Sequence, residues 1–473
     1  MLKSTGGTWI NYATTALFQV LFAKRFGAGR EASAYALTFA IATGIGAAFV
    51  MTTQGIYLPR LLTNGQEVSL DVGRRILRVT LTALTLFVLV ASAASLLAPT
   101  IAPKLDDPKT HFALLLRAAC AFGFLQVVAG QLAVLGWARG ARVLPAVSPA
   151  IPSLVASIPL VLSASVSPAR LYVLLIAGSG VQVIVLTLAS ARGLRFSHEP
   201  RDRRGEPPIL VSLALSATVQ IVGPFEILIA AHSSRSGGAD FNYAYRALTV
   251  AQALIVGGIA SAALPDWSKY VREDARRKLK RSVTQTASLA ALALSLAAAV
   301  GLVASTDLVR LAFQRGSFSA HDTQIVSTIV AAALVGFLAE GVMLVLAQAF
   351  AADKRLRVMI VSGQGRAACL IVLVAILGLN GGPVGVAEAY SAANLLVLAL
   401  QMGYAFKKGF FTRQEWRLLR STALVAACTA ATGAALLAAH VPSLLGTGVV
   451  VAVFAGAALS MRSDLPSPRL LLG

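Results

Sequence analysis

Glu226 and Arg246 are the residues whose types and placement could do chemistry in this chain. Each falls inside an apolar run, Glu226 within 209–231 and Arg246 near the start of 244–265. An ionisable side chain in hydrocarbon is costly unless it faces a partner or a water-filled cavity, so the two point to a polar path through apolar surroundings. Arginine offers a forked, permanently charged set of donors. A deep carboxylate can pair with such a cation, or hold a proton or Na⁺. The plainer readings are an Arg246 stem reaching to headgroups and a protonated Glu226 hydrogen-bonded between helices. Gln220 lies one to two turns before Glu226. Glu340 is equally deep in a later run, where it could take a coupling ion or make a packing hydrogen bond. Arg117 near the start of another run could touch a ligand or snorkel. Lys24 and Arg25 close the first run, and Arg366 and Glu388 are expected to pair between two successive helices.

The elements that must position these residues are membrane helices. The 473 residues are 57% hydrophobic and 13% charged, about half the charge of a soluble protein, with a mean hydropathy of +0.75. Apolar runs of about 20 residues recur along the chain, the length that spans a bilayer. The chain is read as an all-α polytopic membrane protein with about 14 transmembrane helices. They are expected near 7–23, 32–56, 79–101, 112–136, 147–165, 169–190, 209–231, 244–265, 284–304, 325–350, 357–379, 383–405, 419–438 and 444–461.

The net charge of +21 follows topology. Lys and Arg concentrate in alternate loops: Arg74, Arg75 and Arg78; Arg201, Arg203 and Arg204; Arg272, Arg276, Arg277, Lys278, Lys280 and Arg281; Lys407, Lys408 and Arg413. The opposite loops hold few, among them Lys24, Arg25, Arg30, Lys104 and Arg235. The richer side is expected to be cytoplasmic, with both termini inside. No basic patch carries interleaved aromatics, so no nucleic acid is expected. Cys120, Cys369 and Cys428 form no CxxC pair, and His111, His198, His232, His321 and His440 are scattered, so no metal site is expected. The longest loops, about 191–208 and 266–283, hold no carboxylate cluster, Walker-A or HExxH motif, and no enzymatic activity is expected.

An internal repeat sets the organisation. Gly123-Phe124-Leu125 recurs as Gly336-Phe337-Leu338, Trp137-Ala138 with Arg142 as Phe350-Ala351 with Arg355, and Leu58-Pro59 as Leu264-Pro265. Both members of each pair fall on one side of the membrane, so the repeat is parallel, a transporter architecture. The implied division is two pseudo-symmetric six-helix lobes, 1–200 and 205–405, and an additional two-helix segment, 406–473.

The chain resembles the MurJ/MviN lipid II flippases of the multidrug/oligosaccharidyl-lipid/polysaccharide exporter superfamily. The likeness rests on Arg25-Phe26-Gly27-Ala28-Gly29 with Ser33-Ala34-Tyr35, on Ala133-Val134-Leu135 with Arg142 and Pro145, and on Ala244-Tyr245-Arg246 through Leu264-Pro265 and Ser268-Lys269. It continues in Phe313-Gln314-Arg315-Gly316-Ser317-Phe318-Ser319-Ala320-His321-Asp322 and in Ala349-Phe350-Ala351 with Lys354, in order from residue 1 to about 410. The resemblance implies an alternating-access flippase that carries an undecaprenyl-diphosphate-linked glycan, lipid II first, to the outer leaflet of a bacterial inner membrane, working as a monomer.

By the same resemblance Arg246 matches a cavity arginine and contacts the diphosphate. Glu226, Gln220, Arg117, Arg25 and Lys24 complete the expected substrate-binding set. Glu226 and Glu340 are the coupling candidates for Na⁺ or a proton, the resemblance giving Glu340 no defined role and leaving a packing hydrogen bond as its other reading. The chain departs from the family where cavity arginines are expected, at Tyr12, near Phe18 and near Gly46, and it has Ser33 for an aspartate. Another lipid-linked oligosaccharide, as in capsule or exopolysaccharide export, is therefore the alternative substrate. A cation-coupled multidrug antiporter of the superfamily is a second alternative, and a membrane-embedded polyprenyl-glycan ligase or glycosyltransferase is the third.

Overall fold

The computed structural model describes residues 2–61, 67–105, 111–138, 141, 143–162, 166–191, 195–197, 209–257, 263, 267, 269–271, 273–352, 356–407 and 411–460. Arg142, His198, Arg201, Arg203, Arg204, Leu264, Pro265, Ser268, Arg272, Lys354, Arg355 and Lys408 lie outside them, as do the side chains of Leu58, Pro59, Ala138 and Ala351.

Among the described residues the chain is all-α, apart from a three-residue parallel pairing of Glu67–Ser69 with Arg195–Ser197. Among the described residues, nine stretches are long and apolar enough to cross a membrane, two of which, Val211–Ser233 and Val358–Lys407, each run through two helices. The apolar helices Ala150–Leu162 and Ser443–Leu459 are shorter. The helices overlap the expected spans in position, while the exact count of fourteen is not reached on this criterion.

The chain forms two compact units. The first, Met1–Asn242 with Arg315–Phe318, contains α1 (Leu2–Phe26), α2 (Arg30–Leu61), α3 (Leu70–Ser92), α4 (Ala94–Ile101), α5 (Phe112–Ala138), α6 (Val143–Val147), α7 (Ala150–Leu162), α8 (Pro168–Ala191), α9 (Ile209–Gln220) and α10 (Val222–Ser233). Helix α2 packs on α5, α9 and α10, α5 also packs on α8, and α1 lies against α6 and α7. Helices α9 and α10, placed with the second lobe on sequence grounds, thus make their contacts in the first unit. An aromatic cluster fills one end of the core: Phe22 and Tyr35 lie with ring centroids 4.6 Å apart, and Tyr35 and Tyr172 5.1 Å apart.

Helix α11 (Gly237–Gln252) crosses the division in sequence. The second unit, Tyr243–Gln314 and Ser319–Gly473, holds α12 (Arg276–Phe313), α13 (Ala320–Ala352), α14 (Leu356–Leu373), α15 (Leu379–Lys407), α16 (Arg413–Ala438) and α17 (Ser443–Ser460). Helix α12 packs against α13, α16 and α17, and α15 against α13 and α14. The repeated glycines mark close helix approaches in both units. A Cβ on Gly123 would sit 2.8 Å from the Ala42 carbonyl oxygen, and one on Gly336 2.7 Å from Ser391 Cα. Small residues at such crossings let backbones approach where no hydrophobic force draws helices together.

Two of the quoted motifs meet in space. The Ser317 amide donates to the Lys24 carbonyl at 2.9 Å. Gly27 and Gly316 have φ of +59° and +62°, and a Cβ on either would lie 2.4 Å from the other segment's backbone, at Ser317 O and Lys24 O. Positive φ and close approach both require glycine here. The rest of the second motif starts α13: the Ser319 amide donates to Asp322 Oδ2 at 2.8 Å, and the Asp322 amide donates to Ser319 Oγ at 3.1 Å, a reciprocal cap. Gly27→Ala and Gly316→Ala should each lower stability by about 1–3 kcal/mol. Gly29→Ala, whose Cβ would meet only Phe26 O at 3.8 Å, should be nearly neutral. Thermal unfolding of the detergent-solubilised variants checks the contrast.

Candidate functional site

Gln220 and Glu226 lie on one apolar stretch, Val211–Ser233, in which α9 and α10 meet at Ile221 with helical backbone dihedrals. Pro224 has no amide hydrogen, so the Gln220 carbonyl loses its helical partner. That carbonyl turns toward α2, where a Cβ on Gly44 would lie 2.9 Å from it. The Gln220 amide donates to Met51 Sδ at 2.9 Å. Glu226 follows Ile221 by just over one turn and is 2% exposed.

Helix α10 is fixed beyond Glu226 by two contacts that the sequence does not announce. Lys104 Nζ donates to the carbonyls of His232 at 2.5 Å and Ser233 at 3.3 Å, a cation on a helix C-terminus whose carbonyls have no helical partner. Ser33, fully buried on α2, accepts the Ala239 amide at 3.0 Å and so caps the start of α11. Gly238 of α11 lies against Ile227 and Ala231 of α10.

The remaining expected residues divide between the units. In the first, Lys24 is exposed and uses its backbone carbonyl in the glycine clasp, and Arg25 is half-buried. Arg117 is exposed and turns along its own unit, donating from Nη2 to Ser95 Oγ at 2.8 Å and from Nε to the Ala91 carbonyl at 3.3 Å. Arg246 is half-buried on the second-unit part of α11. The positions that depart from the family pattern are built into the packing. Phe18 is buried with its ring 6.0 Å from Phe22, and a Cβ at Gly46 would lie 3.3 Å from the Gly123 carbonyl.

Glu340 sits in a polar network in the second unit. Its Oε1 lies 2.5 Å from Arg366 Nη2, and its Oε2 accepts the Tyr390 hydroxyl. Arg366 Nε donates to Asn394 Oδ1 at 2.7 Å. One residue of α13, one of α14 and two of α15 are thus joined. The expected pairing of Arg366 with Glu388 is overturned: Glu388 is exposed on α15, whereas Tyr390 and Asn394 on its buried face and Glu340 on α13 meet Arg366. Sequence adjacency of two helices does not give their rotation. Tyr390 and Asn394, aliphatic-flanked and uncharged, carried no sequence signal.

A protein-family model described as lipid II flippase MurJ matches residues 22–456. The chain belongs to the MurJ family. The fold agrees. A solved lipid II flippase MurJ in an inward closed conformation superposes with a TM-score of 0.76 at 18% identity, covering 98% of this chain and 99% of that one. A multidrug resistance MATE family transporter in an inward-facing conformation gives 0.55 at 14% identity, over 85% of this chain and 96% of that one. A MATE transporter from Vibrio cholerae gives 0.57 at 15%, over 86% and 97%. A search of curated protein sequences returns no match. MurJ-family membership makes this a multi-pass membrane protein of a lipid flippase family, whose substrate is a lipid-linked glycan in the bilayer.

Ser33 thus does in this MurJ-family chain what a helix N-cap does from within its own segment. Ser33→Ala should cost about 1 kcal/mol by leaving the Ala239 amide without its acceptor. The conservative Ser33→Thr should cost less, and denaturation in detergent measures the difference.

Proposed function

We propose that this chain moves an undecaprenyl-diphosphate-linked glycan, lipid II first, from the cytoplasmic to the outer leaflet of a bacterial inner membrane by alternating access. The observation that carries the reading is the family match across residues 22–456. Both termini are cytoplasmic in this proposal, the monomer is the working unit, and two lobes alternate, with α9 and α10 belonging to the first and 406–473 accompanying the second. The activity is transport, without group transfer and without nucleic acid.

Arg246 is the proposed contact for the diphosphate. A diphosphate demands fixed cations, and a half-buried guanidinium supplies a directional one. Gln220 and Glu226 on α9 and α10 are proposed as further polar contacts for the substrate, and Lys24, Arg25 and Arg117 as contributors of positive charge to its route. Na⁺ or a proton taken up at a deep carboxylate, Glu226 or Glu340, is the proposed drive. A second reading, a flippase for another lipid-linked oligosaccharide, is favoured by one observation. Tyr12, Phe18 and Gly46 stand where the family resemblance implies arginines, and Phe18 and Gly46 are tightly packed.

The test is rescue of a bacterium depleted of its own lipid II flippase, with membrane insertion verified. Growth restored by the native chain, lost with Arg246→Ala and partly retained with Arg246→Lys supports the first reading. Failure of the well-inserted native chain to restore growth selects the second.

A further inference from the structure

Resting on a cation-coupled flippase reading, the geometry around Glu340 separates the two deep carboxylates. We propose that Arg366 is a built-in counter-cation for Glu340, so that the second unit keeps this carboxylate ionised and occupied throughout the cycle. No Na⁺ or proton is exchanged there, and coupling falls to Glu226.

The arrangement pairs Glu340 with a fixed cation by direct contact. Glu340 receives Arg366 Nη2 on Oε1 at 2.5 Å and the Tyr390 hydroxyl on Oε2. The guanidinium contact is the one that compensates a carboxylate's charge in an apolar interior. Arg366 is held in turn by Asn394 Oδ1 at 2.7 Å. The side chains of Arg366 and Glu340 are only 25% and 12% exposed. An incoming cation would have to displace a guanidinium that is fixed to the backbone and remains charged at any physiological pH.

Among the described residues of the elements around the pair, other charges are few, the nearest in sequence to a contacting side chain being Arg246 beside Tyr245 on α11. Helix α12, packed along α13, has no ionisable side chain between Arg281 and Asp307, and Leu294 is its residue against Gly341. The π-helical turn Ala253–Gly257 has none. From α11 the ring of Tyr245 meets Tyr390 edge-on at 6.2 Å, and Tyr245 is uncharged at neutral pH. Glu388 is exposed on α15. Glu340 and Arg366 are thus one negative and one positive group joined within an apolar unit, which is the pairing that makes charge tolerable there.

The experiment measures thermal unfolding of purified full-length protein in sodium, potassium and N-methylglucamine chloride between about pH 5 and pH 8, a window in which an unpaired buried carboxylate changes state. The wild type and Arg366→Met are compared with the double variant Arg366→Met/Glu340→Gln. Any sodium dependence of the wild type is expected to survive Glu340→Gln and to be lost with Glu226→Gln. Removing the guanidinium strands a carboxylate, so Arg366→Met should lose about 5 °C or more at pH 8 and regain most of it at pH 5. The double variant should recover stability without pH dependence. An infrared difference spectrum should show a protonated carboxyl band in Arg366→Met that is absent from the double variant.

Sodium-dependent stabilisation of the wild type that Glu340→Gln abolishes would overturn the proposal. So would an Arg366→Met loss that is equal at every pH and in every salt, since a simple packing role predicts that. Glu226→Gln serves as the reference for coupling at the other carboxylate. None of these readings uses the lipid substrate, so a failed rescue test and a failed counter-cation test are distinguishable.

Discussion

The cost of leaving a polar group unpaired in hydrocarbon governs this molecule. Each carbonyl, hydroxyl and charge inside the apolar runs must find a partner within the protein. The threonines show the simplest solution: the hydroxyls of Thr14, Thr43, Thr52 and Thr80 return to carbonyls four residues back in their own helices. Between helices the same demand produces the Thr38–Tyr172 hydroxyl contact at 2.9 Å and the Gln131 amide on Thr53 Oγ1 at 2.9 Å. At full charge it produces the Glu340–Arg366–Asn394 network. Exposed leucines such as Leu81, Leu188 and Leu444 follow from the other half of the rule, because a lipid-facing surface has no reason to be polar.

The functional stretch obeys the constraint by a different route. Pro224 frees the Gln220 carbonyl, and Gly44 allows α2 to come close to it. Glu226 lies on α10, whose last carbonyls are met by Lys104 and whose neighbour α11 is capped by Ser33. A helix that gives up a backbone hydrogen bond at Pro224 is thus held by specific contacts at its far end, while the Glu226 carboxyl group stays buried.

Much of the fold was legible in the sequence because the bilayer imposes a length and a composition on each span. Apolar runs of about 20 residues needed no tertiary information to be read as helices, and the ordered motifs carried the family. What the sequence withheld were contacts set by helix rotation and by distant pairing. Gly27 and Gly316 read as loop glycines, and only the structure brings their two segments together. Ser33 read as a lost aspartate, whereas it caps a helix about two hundred residues later. Arg366 was matched to the wrong glutamate because neighbouring helices were known but their facing sides were not.

The account stands on the movement of a diphosphate-linked glycan lipid from one leaflet to the other. Its most direct test places the purified chain in vesicles carrying a fluorescent undecaprenyl-diphosphate-linked glycan in the inner leaflet and follows arrival at the outer leaflet with a membrane-impermeant quencher. The account predicts faster loss of fluorescence with the native chain than in protein-free vesicles, and loss of that difference with Arg246→Ala. Equal quenching in native and protein-free vesicles, from a chain that retains its thermal transition, would contradict it.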